Sequence, residues 1–524
     1  MNIKKVIIFL IFFPLCFSVF SQEKNGKEEK EEKIVLDEKL QNSIYTEQTI
    51  FVISSFNYNV KGRTLPFVLN TKTELKKGEE ITGKTHFAKF LRDKKQLLVN
   101  ERVLKDDVRI EYTIGEITED GKYPVDLEIY VEDTFNIIAL PYPKYDSNSG
   151  LNLIIKARDY NFLGSMEPLR IDLGYKLDEE GRTTFSLMLD SGMPFQALGL
   201  NWFVDFDNYF DYRPELEKPF YYKNTTALSV DIPIKHTNLN LTFGESFIVN
   251  DENSDSDKPA LGEVQEGLFM QSRPSISWRI PLGIEIGDYG ELTYNPSISA
   301  SFNHQISHWE LSYNRIGPFL YFGHSLYFGR VNWIGNFRQG ISVSADNSYS
   351  YNFYYAKTNI DNPWGYSYDI TAKGHFVFIK DLFGMSTRLM HRHWIKSYSE
   401  SAGDKLRGIR DKDVTAEYIT SLNIDLNVRA IRMKPYEWLS NNKLTRIMGF
   451  DVHVNPIFDI AWYKPPYEDA SAKYKNFLFG GGFEMIIFPH RFRSMFLRIS
   501  AGWDITNTEK VTPTEIFLGM ELFY

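Results

Sequence analysis

The sequence predicts a mainly β protein, a carboxy-terminal transmembrane antiparallel β-barrel of roughly 16 strands behind one small α+β domain. Three observations carry that prediction. The chain opens as an export signal. Apolar and polar residues then alternate at period two over about 400 residues. Finally, aromatic residues make up 15% of the chain while its mean hydropathy is −0.32, the balance of strands that are apolar on one face only.

Lys4 and Lys5 precede an apolar run from Val6 to Phe20, followed by Ser21-Gln22-Glu23. This order reads as a signal peptide cleaved after Ser21, and the run is short for a membrane span. The only cysteine, Cys16, lies within it after Leu15, a poor lipidation context, so the mature chain is expected to carry no thiol. No other segment has 18 uninterrupted apolar residues, which excludes helical spans. A net charge of −9 leaves no basic surplus for nucleic acid.

The segments follow as signal peptide 1–21, charged linker 22–48, small domain 49–138 and barrel 139–524. Lys and Glu dominate the linker, which cannot bury a core. Ile50 to Tyr58 reads as a strand, Leu65 to Leu75 as a helix stopped by Lys77-Gly78, and Thr85 to Leu98 as a helix capped by Thr85. Val108 to Ile114 and Val125 to Val131 alternate as two further strands.

After Pro141 and Pro143 helical periodicity disappears. Leu169 to Tyr175, Ile276 to Ile280, Ile298 to Phe302 and Leu497 to Trp503 alternate with polar residues. So do Ile516, Leu518, Met520, Leu522 and Tyr524, so that the last strand runs from Thr514 to the terminal Phe523-Tyr524. Gly150 to Arg158 reads as the first barrel strand. The acidic stretch from Asn250 to Lys258 reads as an outside loop.

Other features have ordinary readings. Gly480-Gly481-Gly482 lies inside a strand, where it relieves crowding or permits curvature. His391 and His393 share a strand face, but two imidazoles do not complete a metal site. No catalytic triad or paired-carboxylate motif is present, so no enzyme, catalytic residue, metal or cofactor is expected.

The strand–helix–helix–strand–strand module ahead of a barrel resembles the POTRA-barrel (BamA/TamA-like) superfamily of outer-membrane assembly and translocation proteins, and short motifs in order support the resemblance. Lys77-Gly78-Glu79 is similar to a POTRA turn. Asp159, Asn161 and Gly164 match a D-x-N-φ-φ-G segment after the first barrel strand. Leu406-Arg407-Gly408 matches the V-R-G tip of a loop folded back into the barrel. Phe458-Asp459-Ile460-Ala461 resembles an F-x-D-x-G strand, and the chain closes on an aromatic residue. Ile409 departs from the usual aromatic after Arg-Gly, Ala461 from the usual Gly, and only one POTRA-like module is visible.

The resemblance implies that Arg407 is held by Asp459, on the third strand from the end, with Asp425 on the same inward face. It also implies a lateral seam between the first and last barrel strands, and edge addition of clients to the Val125–Glu132 strand. The implied function is insertion or translocation of polypeptides at the bacterial outer membrane. Its partners are outer-membrane lipid, unfolded or exported polypeptides, and accessory proteins on the POTRA-like domain. A passive porin or adhesin barrel, and two-partner secretion of one dedicated client, stand as alternatives.

Overall fold

The computed structural model describes residue 40 and residues 44–146, 150–177, 181–215, 219–251, 266–305, 316–359, 361–399, 401–410, 414–439, 445, 448–466, 476–506, 515–520 and 522–523. The expected export signal, most of the charged linker, most of the acidic 250–258 loop, and Tyr524 lie outside the described residues.

The small domain contains β1 (Ile50–Lys61), α1 (Pro66–Thr73), β2 (Glu80–Thr82), α2 (Lys84–Asn100), β3 (Arg109–Ile114) and β4 (Lys122–Glu132), with sheet order β2-β1-β4-β3. Its helices cover the sheet around Phe51, Ile53, Leu69, Phe87, Leu91 and Ile129, all fully buried. The Phe51 and Phe87 rings stack at 4.5 Å. Helix α1 ends at Glu74, in the left-handed region at φ 51°, before the Lys77-Gly78 stop. Thr85 does not cap α2. Gly83 holds that position, and the Thr85 hydroxyl donates to Glu47 at 2.5 Å. Strand β4 is central, parallel to β1 and antiparallel to β3, so it has no free edge for a client. The edge strands are β2 and β3.

Among the described residues eighteen antiparallel strands follow, β5 (Ile137–Asp146) through β22 (Glu515–Gly519), and the order of neighbours closes on itself where Phe517 pairs with Asp146. This corrects the expected strand number. It also moves the first strand: Pro141 and Pro143 lie within β5, and Gly150–Asp159 is the second strand, β6. Proline interrupts the usual strand pattern but is tolerated where no ladder hydrogen bond is needed from it, and at Pro141 and Pro143 β5 has no register partner on its β22 side among the described residues. The last strand ends earlier than expected, at Gly519, and residues 520, 522 and 523 are not strand; the expected start, Thr514, lies outside the described residues.

The large sheet is apolar where it is exposed. Ile155, Leu173, Phe185, Phe243, Ile298 and Phe458 all point outward, while Asp459, Asn455, Asn423 and Asp425 on the opposite face are buried. Such an arrangement is costly in water and is the pattern of a sheet surrounded by lipid.

The short-turn end of this sheet receives the small domain. Asn100 donates to Asn332 at 3.0 Å, Arg330 pairs with Asp93 at 2.9 Å, and Arg493 donates to the Leu104 carbonyl at 2.5 Å. Arg102 reaches the Arg493 carbonyl and lies 4.4 Å over the Trp333 ring. Burial, then the nearby Arg493, lowers its pKa, so holding a cation there is costly unless the ring and carbonyls are in place. Arg102→Ala is expected to free the small domain from the sheet, seen as faster proteolysis around residues 101–108 with the barrel unchanged.

The inward loop and its arginine, a candidate functional site

Strands β17 (Phe383–Ile395) and β18 (Tyr418–Met433) are joined by a long loop that carries Leu406-Arg407-Gly408. The loop makes a small core of its own. Leu406 and Ile409 are buried with Ala402, Val414 and Ala416 against Ile419, Ala461 and Leu478 of the wall. Ile409 thus stands in an aliphatic cluster, which explains why this position needs no aromatic ring.

Arg407 is almost completely covered. Its Nε and Nη2 donate to the two oxygens of Asp459 at 3.0 and 2.7 Å, and its backbone N–H donates to Asp459 at 2.6 Å. Nη1 lies 2.5 Å from Asp425. A planar guanidinium is the side chain that can meet two carboxylates this way. Asp459 lies on β19 (Phe450–Lys464), the fourth strand from the end and not the third, paired directly with Asn423 of β18. Asn423 donates to the Lys405 carbonyl at 2.9 Å and accepts from Arg388 at 3.0 Å, so it holds the loop one residue before the tip.

The wall is shaped for this contact. Gly408 has φ +87°, and its N–H donates to Glu515 of β22 at 2.7 Å. A Cβ on Gly502 would stand 2.5 Å from the Gly408 nitrogen, and one on Gly480 would fall on the Arg407 carbonyl oxygen. The expected crowding role of the glycine run is therefore specific: Gly480 on β20 (Phe477–Pro489) and Gly502 on β21 (Leu497–Asp504) let the loop backbone touch the sheet.

Three arginines surround one ring. The guanidinium carbons of Arg407, Arg388 and Arg498 lie 4.3, 4.7 and 5.4 Å from the Phe523 centroid. Arg498 also pairs with the buried Glu484. Phe523 was expected to close the final strand. It is instead inside, beside the loop tip. Since Gly408 sits on Glu515, a strand continued from there would carry Phe523 about 26 Å away; the chain after Gly519 turns back instead. The turn was hidden because apolar alternation continues through Met520, Leu522 and Tyr524. Ile516 and Leu518 remain in β22, whereas Met520 and Leu522 lie beyond it.

Asp159, Asn161 and Gly164 follow the second barrel strand, not the first, and join the two sheets. Asn161 donates to Thr64 at 2.7 Å and to Asp133 at 3.1 Å, and it accepts from the Met166 N–H at 2.9 Å. Asp159 pairs with Arg63, and the Gly164 carbonyl accepts from Leu65 at 2.9 Å. The sequence pointed to Asn423 on the inward face of the strand after the loop, but sequence reasoning missed Arg388, Gly502, Glu515 and Arg498 as members of the loop site. Their inward alternation was readable, but their pairing depends on register. Asn161→Ala is expected to destabilise this junction by about 1–3 kcal/mol, since Thr64, Asp133 and Met166 all lose a partner, measurable as earlier urea unfolding of the small domain.

No protein-family model matches the chain, and no curated protein does. Among solved structures it is similar to CdiB from Acinetobacter baumannii (10% identity, TM-score 0.46, covering 89% of this chain and 73% of that one). It is also similar to CdiB from Escherichia coli (10%, 0.40, 96% and 98%) and to BamA from Haemophilus ducreyi lacking POTRA domains 1–3 (11%, 0.35, 89% and 83%). BamA is a namesake of the superfamily that the motifs resemble. At these scores no functional argument rests on the likeness.

Proposed function

We propose that the chain is a POTRA-barrel protein of the bacterial outer membrane that inserts or translocates polypeptides, with its single small domain in the periplasm. The observation that supports this most is the docking of Arg407 on Asp459 and Asp425. It joins a loop inside the barrel to β18 and β19, while the next residue binds β22 beside the seam. A loop that only closed a pore would need no such ionic attachment to the strands next to the closure.

The seam itself supports movement of polypeptide between lumen and bilayer. Strand β5 pairs with β6 along its whole length, but among the described residues it meets β22 only at Asp146, and Ile137–Tyr145 have no register partner there. Its remaining edge can accept an extended segment through main-chain hydrogen bonds. A client held there would be guided by the barrel and would need no cofactor. Secretion of one dedicated client uses the same parts, with the loop displaced to open the lumen.

Depletion of the protein followed by quantification of every outer-membrane protein separates the readings. A broad fall supports an insertase, and loss of a single exported protein supports dedicated secretion. An unchanged outer-membrane proteome and secretome, with steady conductance for small solutes, would overturn the proposal in favour of a passive pore.

A further inference from the structure

On the outward face of the sheet, far from the arginine cluster in chemistry though close in sequence, three ligating side chains converge. Strand β16 (Trp364–Ile379) sets Tyr368 opposite His393 and Ile370 opposite His391. Ile370 is exposed, which places this row of side chains on the outer face. The Tyr368 hydroxyl lies 3.1 Å from His393 Nδ1 and 3.3 Å from His391 Nε2. The His-x-His spacing alone supplied two ligands; the neighbouring strand supplies a third.

We propose that His391, His393 and Tyr368 form a binding site for a late first-row divalent cation, Cu2+ or Zn2+, with one coordination position left open. The donor spacing supports this. Three donors about 2.0–2.1 Å from a tetrahedral metal stand about 3.3 Å from one another, close to the two oxygen–nitrogen separations, whereas the two imidazole centroids are 6.4 Å apart, so the rings turn toward each other to close the third edge. The donor set is two imidazoles and a phenol, nitrogen and oxygen ligands suited to copper and zinc and poorly suited to Ca2+ or Mg2+.

The surroundings orient the ligands as a metal site requires. The other nitrogen of His391, Nδ1, lies 2.8 Å from the Thr420 hydroxyl. Donation from Nδ1–H to that hydroxyl leaves the Nε2 lone pair directed at Tyr368, the arrangement by which a second hydrogen bond sets a metal-binding tautomer. Tyr418 packs 6.2 Å from His391 and 5.5 Å from His393, and Trp462 lies 5.1 Å from Tyr418. This aromatic wall limits the rings to a few orientations.

The position also gives the site a mechanical consequence. Between the two histidines, Arg392 points to the other face, where it pairs with Asp369 at 2.7 Å and lies 3.9 Å from Asp404 of the inward loop. A cation held outside would join β16 to β17 directly behind the start of that loop.

The test uses the full chain purified in detergent with no polyhistidine tag, titrated calorimetrically with CuCl2 and with ZnCl2 near neutral pH. One cation per chain is expected, with a dissociation constant of about 10 μM or tighter. His391→Ala and His393→Ala should each weaken binding by about 10–100-fold, and Thr420→Val by about tenfold. Tyr368→Phe keeps the ring and removes the hydroxyl, so it serves if a histidine variant fails to fold. It should weaken Cu2+ binding about tenfold and abolish any visible phenolate-to-copper absorption. Absence of binding at 1:1 stoichiometry by the wild-type chain, or titrations unchanged in both Tyr368→Phe and the double histidine variant, would overturn the assignment.

Discussion

Arg407→Ala is expected to abolish polypeptide insertion or export while leaving a folded barrel. The substitution removes a guanidinium that satisfies both Asp459 oxygens and lies against Asp425. Two buried carboxylates then face each other across the vacated volume without a cation between them. Breaking a buried ion pair from one side costs about 3–5 kcal/mol, more than the loop's small aliphatic core can supply. The loop should leave the wall, become a protease target between residues 396 and 417, and release Glu515. Arg407→Lys would keep the charge but lose the planar two-carboxylate geometry, so it should recover only part of the activity. The complementary control is Asp459→Ala, which leaves Arg407 with fewer acceptors and should be as damaging. Heat-modifiable mobility on gels reports whether the barrel survives. Wild-type client assembly by Arg407→Ala would sink the proposed role of the loop.

The second large effect concerns space and not charge. Gly480→Val should displace the loop almost as completely as loss of Arg407, because even its Cβ would overlap the Arg407 carbonyl oxygen. Neither neighbour can yield cheaply: one is loop backbone, the other a strand paired on both sides through Asp459↔Gly480 and Gly480↔Asp504. Overpacking of this kind costs about 1–3 kcal/mol and more where backbone must move. Gly481→Ala, one position along and facing the other side, is the internal control. Its Cβ would approach the flexible end of Ile505 at 2.7 Å, which a rotamer change can relieve. Loop proteolysis with Gly480→Val but not Gly481→Ala is the expected result, and equal behaviour of the two would contradict the close-contact reading.

The fold class was legible because a barrel writes its geometry at period two, and Ile276, Trp278 and Ile280 or Leu497, Ile499 and Ala501 display it without help. What failed was local. Strand β5 was lost behind two prolines, and the start of α2 was misplaced because Thr85 is a good cap in isolation but here bonds Glu47. In the site, Arg407, Asp459 and Asp425 were readable from motif resemblance and inward parity. Arg388 and Arg498 were not, since what matters about them is that Phe523 folds between them. No pattern in the last ten residues signals that reversal; tertiary contacts with three guanidinium groups override a strand-like alternation.

The closing pair Phe517↔Asp146 also defines a register that the described residues beyond it do not use. Continued without a shift, it would bring residue 518 opposite 145 and, step by step, residue 524 opposite 139. The chain therefore carries, covalently tethered, a segment complementary in length to its own open edge. Any incoming strand meets an intramolecular competitor present at the millimolar effective concentrations typical of short tethers. Occupancy of the edge is then a contest decided by where Phe523 is held, and the arginines at the loop tip act as a weight on one side of that contest.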